Sequence, residues 1–350
     1  MQGIEHLVLY KIFIFIVLMG CIWAQKLPDR QMDKILCSGI NSIINQDYDA
    51  ALQEFNFLNK KYPGNPLGNI YSAVTLMTES EDCGEELNDS LIEKYLDDSE
   101  EQISQLQSIK DDDMWNYYYL ALLKGYKAYY YVLSNNYLSA LGSGLSSIDY
   151  FEKCLNIDST FYECYVAIGT FKYWKSEKTE FLDWLPFYTD EKETGINTLK
   201  KGLTIPSYNY YVGLNSLIWI YINQQNFTEA IKLSNEALNK YPGSRMFKWC
   251  LADAYENINK KKAISIYNDL LSSYLKLVSN NHYNEIVLKY LIAKLHFEIG
   301  EKNLAMKQCN EILSIKPIQP GVYDRLKERL ERVKSLKMKL MDANTPLNIK

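Results

Sequence analysis

The sequence predicts an all-α protein, an array of paired helices finished by one further helix. Three observations carry that expectation. Gly and Pro are sparse, at 16 and 9 of 350 residues, while Tyr is abundant at 29. That balance suits long helices with an aromatic core better than a turn-rich sandwich. A small residue stands twelve positions before a proline three times: Ala51 to Pro63, Ala230 to Pro242 and Ala305 to Pro317. Near the end, Val322, Leu326, Leu330, Val333 and Leu336 recur at spacings of three and four, the period of one helical face. With 47% hydrophobic and 23% charged residues the chain can bury a sizeable core and is not disordered. The formal net charge of −5 argues against binding nucleic acid by phosphate neutralisation.

The first element is a leader. Leu7–Ala24 (LVLYKIFIFIVLMGCIWA) is apolar except for Lys11. Its uninterrupted run, Ile12–Met19, is short for a membrane span, which needs about 20 residues. A charge before the run and small residues after it mark residues 1–24 as a signal peptide. Two processing routes compete. Ala24 can sit at the −1 position of a signal-peptidase cut before Gln25. Alternatively, Leu18-Met19-Gly20-Cys21 reads as a lipobox that would leave Cys21 lipidated, although Ile22 and Trp23 are bulky for that role. A third reading keeps the segment as an uncleaved anchor. All three put the bulk of the chain outside the cytoplasm: in the periplasm or cell envelope, as an outer-membrane lipoprotein, or secreted.

Cleavage after Ala24 leaves six cysteines. Most fall on apolar helical faces, where Cys acts as a small hydrophobe. Only Cys154 and Cys164, flanking one short turn, stand near enough to be a candidate disulfide.

The repeat is read by aligning three stretches. Asn226-Phe227-Thr228-Glu229-Ala230 leads to Ala237 and Tyr241-Pro242. Gln46-Asp47-Tyr48-Asp49-Ala50-Ala51 leads to Phe55 and Tyr62-Pro63. Gly300-Glu301-Lys302-Asn303-Leu304-Ala305 leads to Cys309 and Lys316-Pro317. This pattern resembles the tetratricopeptide repeat (TPR), a helix–turn–helix unit. The resemblance implies a right-handed superhelical array of about six to seven TPR-like helix pairs with a C-terminal capping helix. Small residues allow paired helices to approach: Gly39, Gly125, Gly169, Ala252 and Ala293 in the first helix, and Ala51, Ala140, Ala230, Ala263 and Ala305 in the second. Proline lacks an N–H and stops the second helix.

The array is expected over residues 25–317. Units begin near residues 32, 66, 114, 160, 207, 243 and 283, and a capping helix follows at 318–341. Residues 342–350 read as a disordered tail. The third unit has Ser159 in place of the exit proline and a second helix reaching Ile157. The fourth carries an insertion, residues 174–190, between its helices, too long for an ordinary connection. It holds Trp174, Phe181, Trp184, Phe187 and Tyr188, which read either as a plug folded back on the array or as a recognition loop. Tyr126 and Tyr130, in a tyrosine-rich third unit, are weighed as partner-binding side chains and as core packing.

Glu79–Asp113 holds fourteen acids against Lys94 and Lys110, which reads as a solvated face before it reads as a docking surface. The basic C-terminal helix is likewise expected to pair its own charges.

Chemistry is thinly represented. His282 and His296 stand in no metal-ligand spacing. No nucleophile elbow, P-loop or dinucleotide fingerprint is present, so neither catalytic residues, cofactor nor metal is expected. The function expected is a non-enzymatic scaffold of the cell envelope, binding a protein or peptide in the concave groove. Two alternatives are an envelope glycan or small-ligand binder that stacks on Tyr and Trp, and an assembly factor anchored through Cys21.

Overall fold

Asparagine or aspartate opens helix after helix. Asp47 accepts from the Ala50 N–H, Asn136 from Ser139, Asn226 from Glu229 and Asn259 from Lys262, each satisfying an N–H that the first turn leaves without a partner. In three of these turns, and in the one before Glu301, the preceding residue is left-handed. These are Gln46 (φ 59°), Asn135 (59°), Gln225 (60°) and Gly300 (82°). One turn chemistry therefore joins the two helices of successive pairs.

The computed structural model describes residues 27, 29–110, 113–180, 189–277 and 281–342. Among them are fifteen α-helices and no strand. They are α1 (Arg30–Ile44), α2 (Tyr48–Lys61), α3 (Leu67–Cys83), α4 (Asp89–Ile109), α5 (Met114–Leu133), α6 (Tyr137–Ile157), α7 (Tyr162–Thr179), α8 (Lys192–Gly202), α9 (Tyr210–Asn223), α10 (Phe227–Lys240), α11 (Arg245–Ile258), α12 (Lys260–Tyr274), α13 (Tyr283–Glu298), α14 (Lys302–Ser314) and α15 (Pro320–Asp342). Among the described residues successive pairs pack on one another, seven in all. Helix α15 lies against α13 and α14 and caps the last pair with Val322, Leu326 and Val333, each at most 2% exposed. No helix among the described residues is long and apolar enough to cross a membrane.

The small residues sit where the pattern puts them. Ala51, Ala230, Ala252, Ala263, Ala293 and Ala305 are fully buried. The tightest approach joins α7 to α8: a Cβ on Gly169 would stand 2.3 Å from the Leu199 nitrogen, and one on Gly195 would stand 2.7 Å from the Tyr173 nitrogen. Two backbones touch there with no room for a side chain.

Two expectations need revision. First, α7 runs to Thr179, so Trp174 belongs to a helix and the excursion starts later than residue 174. The helix end is held to the start of α8 by charge: Lys172 and Lys175 reach Glu191 at 3.2 and 2.5 Å, and the Ser176 hydroxyl accepts the Glu191 N–H. Second, Cys154 and Cys164 are thiols, both fully buried. The Cys154 thiol points to the Met114 carbonyl at 3.6 Å, and burial, followed by the neighbouring Cys154 thiol, pushes Cys164 upward. Helix α6 ends at Ile157, where the sequence places its end, and stops without a proline: Asp158 accepts both the Thr160 N–H (2.8 Å) and its hydroxyl (2.6 Å), turning the chain by itself. Residues 1–24 with Cys21, the insertion residues Phe181, Trp184, Phe187 and Tyr188, and the tail from 343 lie outside the described residues.

Candidate functional site on the inner face

The first helices of distant pairs meet across the array, and polar side chains close the gap. Asp82 lies in the last turn of α3. Its carboxylate takes the Arg245 Nε at 3.0 Å to both oxygens, with an Arg245 terminal nitrogen on the same group. The hydroxyls of Tyr48 (2.9 Å) and Tyr274 (2.8 Å) donate to it as well. The Arg245 guanidinium also lies over the Tyr274 ring, 4.9 Å from its centroid. Bidentate geometry and aromatic stacking are what a guanidinium offers and an ammonium does not.

The turn after α3 is held by its backbone. Asn284 Nδ2 donates to the Asp82 carbonyl (2.7 Å), and Asn281 Nδ2 to those of Cys83 (3.3 Å) and Gly84 (2.8 Å). Arg325, from the capping helix, donates to the Gly84 carbonyl at 2.5 Å and the Glu85 carbonyl at 3.5 Å. Gly84 is left-handed, φ 66°, and a Cβ there would stand 2.3 Å from the Tyr283 ring. Locally the turn is poorly supported: Glu79, Glu81 and Asp82 crowd the negative end of the α3 dipole, with no basic residue in that last turn. Burial, then the nearby charges of Asp49, Asp82 and Glu85, raise the Glu79 carboxyl. Burial, then the Asp82 charge, pushes the Cys83 thiol up to about 12, so it is no nucleophile at neutral pH.

A second cluster lies deeper. Glu163, in the first turn of α7, is 3% exposed. It accepts from the Tyr118 hydroxyl (2.9 Å) and from Asn209 Nδ2 (2.5 Å). Burial raises its carboxyl against these hydrogen bonds. Beside it, Tyr208 donates to Asp33 (2.5 Å) and accepts from the Leu27 N–H (2.8 Å), tying α1 to the fifth pair.

The predicted partner-binding residues are distributed differently. Tyr126 packs edge-on to Tyr71 and donates to Asn209 at 3.3 Å. Tyr130 is 7% exposed and donates to Asp89 and Glu93, both at 2.9 Å, which ties α5 to α4. Both side chains are engaged inside the array. Trp174 stands perpendicular to Tyr173 with Lys178 over its ring at 6.0 Å. His282 and His296 reach Glu285 (2.8 Å) and Glu301 (2.6 Å), and no cluster of three metal-ligating side chains forms among the described residues. Sequence reading missed Asp82, Glu163, Arg245, Asn281, Asn284 and Arg325. One signal was there: Arg245 is the only arginine between Arg30 and Arg325 in a chain otherwise supplied with lysine.

The fold defines a class, the α-helical repeat array. The family model described as tetratricopeptide repeat matches residues 217–244, from within α9 to the turn after α10. Solved structures that resemble the chain include a tetratricopeptide repeat protein from Parabacteroides merdae, at 14% identity and TM-score 0.36, covering 89% of this chain and 100% of that one. The C-terminal part of a TPR repeat-containing protein from Cytophaga hutchinsonii aligns at 15% identity and TM-score 0.40, over 82% and 97%. The P58(IPK) TPR domain aligns at 13% and 0.27, over 90% and 99%. No curated protein sequence matches the chain.

Proposed function

We propose that this chain is a non-enzymatic interaction scaffold of the cell envelope that takes a protein or peptide partner on the inner face of its array. The observation that carries this reading is the donor set of that face. Arg245, Asn281, Asn284 and Arg325 hold one carboxylate and four backbone carbonyls, the groups by which a peptide is recognised. The envelope address rests on the apolar leader at Leu7–Ala24, processed after Ala24 or lipidated at Cys21. The glycan alternative needs open ring faces, and Tyr118, Tyr119, Tyr130 and Tyr208 are each at most 8% exposed.

Affinity capture of the full-length chain from its native envelope, read by mass spectrometry, tests the proposal. A stoichiometric protein partner is expected, and it is lost when Arg245 and Arg325 are both changed to Ala. Absence of any protein partner would overturn the scaffold reading in favour of glycan or small-ligand binding.

A further inference from the structure

The turn at 82–85 is held as a bound peptide is held. Side-chain amides and a guanidinium from residues almost 200 and more positions away read its main-chain carbonyls one after another, and a second guanidinium takes its one inward carboxylate. Side chain to backbone recognition of this kind does not depend on the turn belonging to the same chain. Of the flanking acids, Glu81 accepts from the Tyr129 hydroxyl of α5, and Glu86 lies beside Gly321 at the start of α15. Arg325 and Arg329 of α15 each stack on a tyrosine of α13, Tyr283 at 4.8 Å and Tyr290 at 5.6 Å. The turn also gains little from its own helix, because its acids oppose the α3 dipole.

We propose that residues 82–85 are a built-in ligand for a site on the C-terminal half of the array, and that an acidic peptide segment of the partner binds by displacing them. This rests on the scaffold reading above and adds to it the partner's chemistry and a closed state. The site comprises Arg245 and Tyr274 for the carboxylate, Asn281, Asn284 and Arg325 for the carbonyls, and the Tyr283 ring as a platform for a glycine. A partner segment should therefore present an aspartate followed within two residues by a glycine at a turn.

The test uses the full chain and a fluorescent synthetic peptide of residues 76–90, under reducing conditions. The tethered turn competes at an effective concentration on the order of millimolar, so the wild-type chain binds the peptide weakly. Asp82→Lys sets a lysine against Arg245 and expels the turn. That chain is expected to bind the peptide on the order of 100-fold more tightly. Adding Arg245→Ala should abolish the gain, as should replacing the peptide's own aspartate at position 82 with alanine. Equal binding by the wild-type and Asp82→Lys chains would overturn the proposal, as would no binding by an Asp82→Lys chain that keeps its helical circular dichroism. Should Asp82→Lys fail to fold, Asp82→Asn removes the charge at constant shape and is judged on the same two outcomes. The scaffold reading fails separately. A native partner captured equally by both chains removes the displaced turn and keeps the scaffold, while peptide binding with no native partner does the reverse.

Discussion

Arg245 meets Asp82 across the array from 163 positions further along the chain, with their side chains 9% and 13% exposed. A pair this buried sets two requirements at once. Each charge needs the other, because either one alone would be left desolvated. The two halves of the superhelix must also stay in one register for the contact to exist. Arg245 thus links the architecture of the repeats to whatever the inner face holds.

Gly84→Ala should destabilise the chain by about 2–4 kcal/mol, combining a left-handed backbone with overpacking against the Tyr283 ring. Urea denaturation followed by circular dichroism measures it. A loss under about 0.5 kcal/mol, within the range of an ordinary surface substitution, would mean that the turn does not rest on Tyr283.

Gly169→Ala should be as damaging, about 2–3 kcal/mol, because its Cβ would meet backbone atoms of α8, which cannot swing aside. Gly64→Ala and Gly243→Ala meet nothing within 4 Å and should be near neutral. Comparing the three midpoints isolates the α7–α8 contact from general effects of replacing glycine.

Glu163 gives the pH dependence. Burial raises its carboxyl above the ordinary 4.5. Between 4.5 and that raised value the folded chain holds a proton that the unfolded chain has released, so stability from this group declines as pH rises through the window. Above the window the charge stays buried among uncharged partners. Glu163→Gln keeps an acceptor for Tyr118 and removes the charge. It should flatten this part of the profile and leave the chain at pH 7.5 as stable as wild type or up to about 2 kcal/mol more so. Urea midpoints from pH 4 to 8 for both chains decide it, and an unchanged slope in the variant would assign the dependence to other groups.

Much of this fold was legible in advance, and the reason is periodicity. The interval from Ala230 to Pro242 is a local record of helix length, and Gly39, Gly169 and Ala252 record where helices touch. The closure was not legible. Asp82 and Arg245 lie far apart in sequence, and nothing in the acidic stretch after Glu79 distinguishes one inward carboxylate from its thirteen neighbours. Tyr130 illustrates the opposite error. A tyrosine in an aromatic run can stack on a ligand or fill space, and its burial against Asp89 and Glu93 is a tertiary fact that composition does not contain. Trp174 reads as loop because the connection between the helices is too long for an ordinary one, whereas α7 simply continues through it.

Cys154 and Cys164 should resist alkylation in the native chain and react only after unfolding, since both are fully buried and burial raises the Cys164 thiol. Differential alkylation with mass spectrometry under non-reducing conditions reads this directly. A mass two hydrogens lower with a cross-linked peptide would identify a disulfide and contradict the thiol assignment.

The central claim is that the array closes through Asp82 and Arg245, and a double-mutant cycle tests it most directly. Unfolding free energies are measured for wild type, Asp82→Ala, Arg245→Ala and the double variant. Each single change should lose about 3–5 kcal/mol by stranding its partner's charge. The double variant should lose no more than the worse single change, giving a coupling of at least about 3 kcal/mol. Additive losses, with a coupling near zero, would mean that the two residues do not meet in solution.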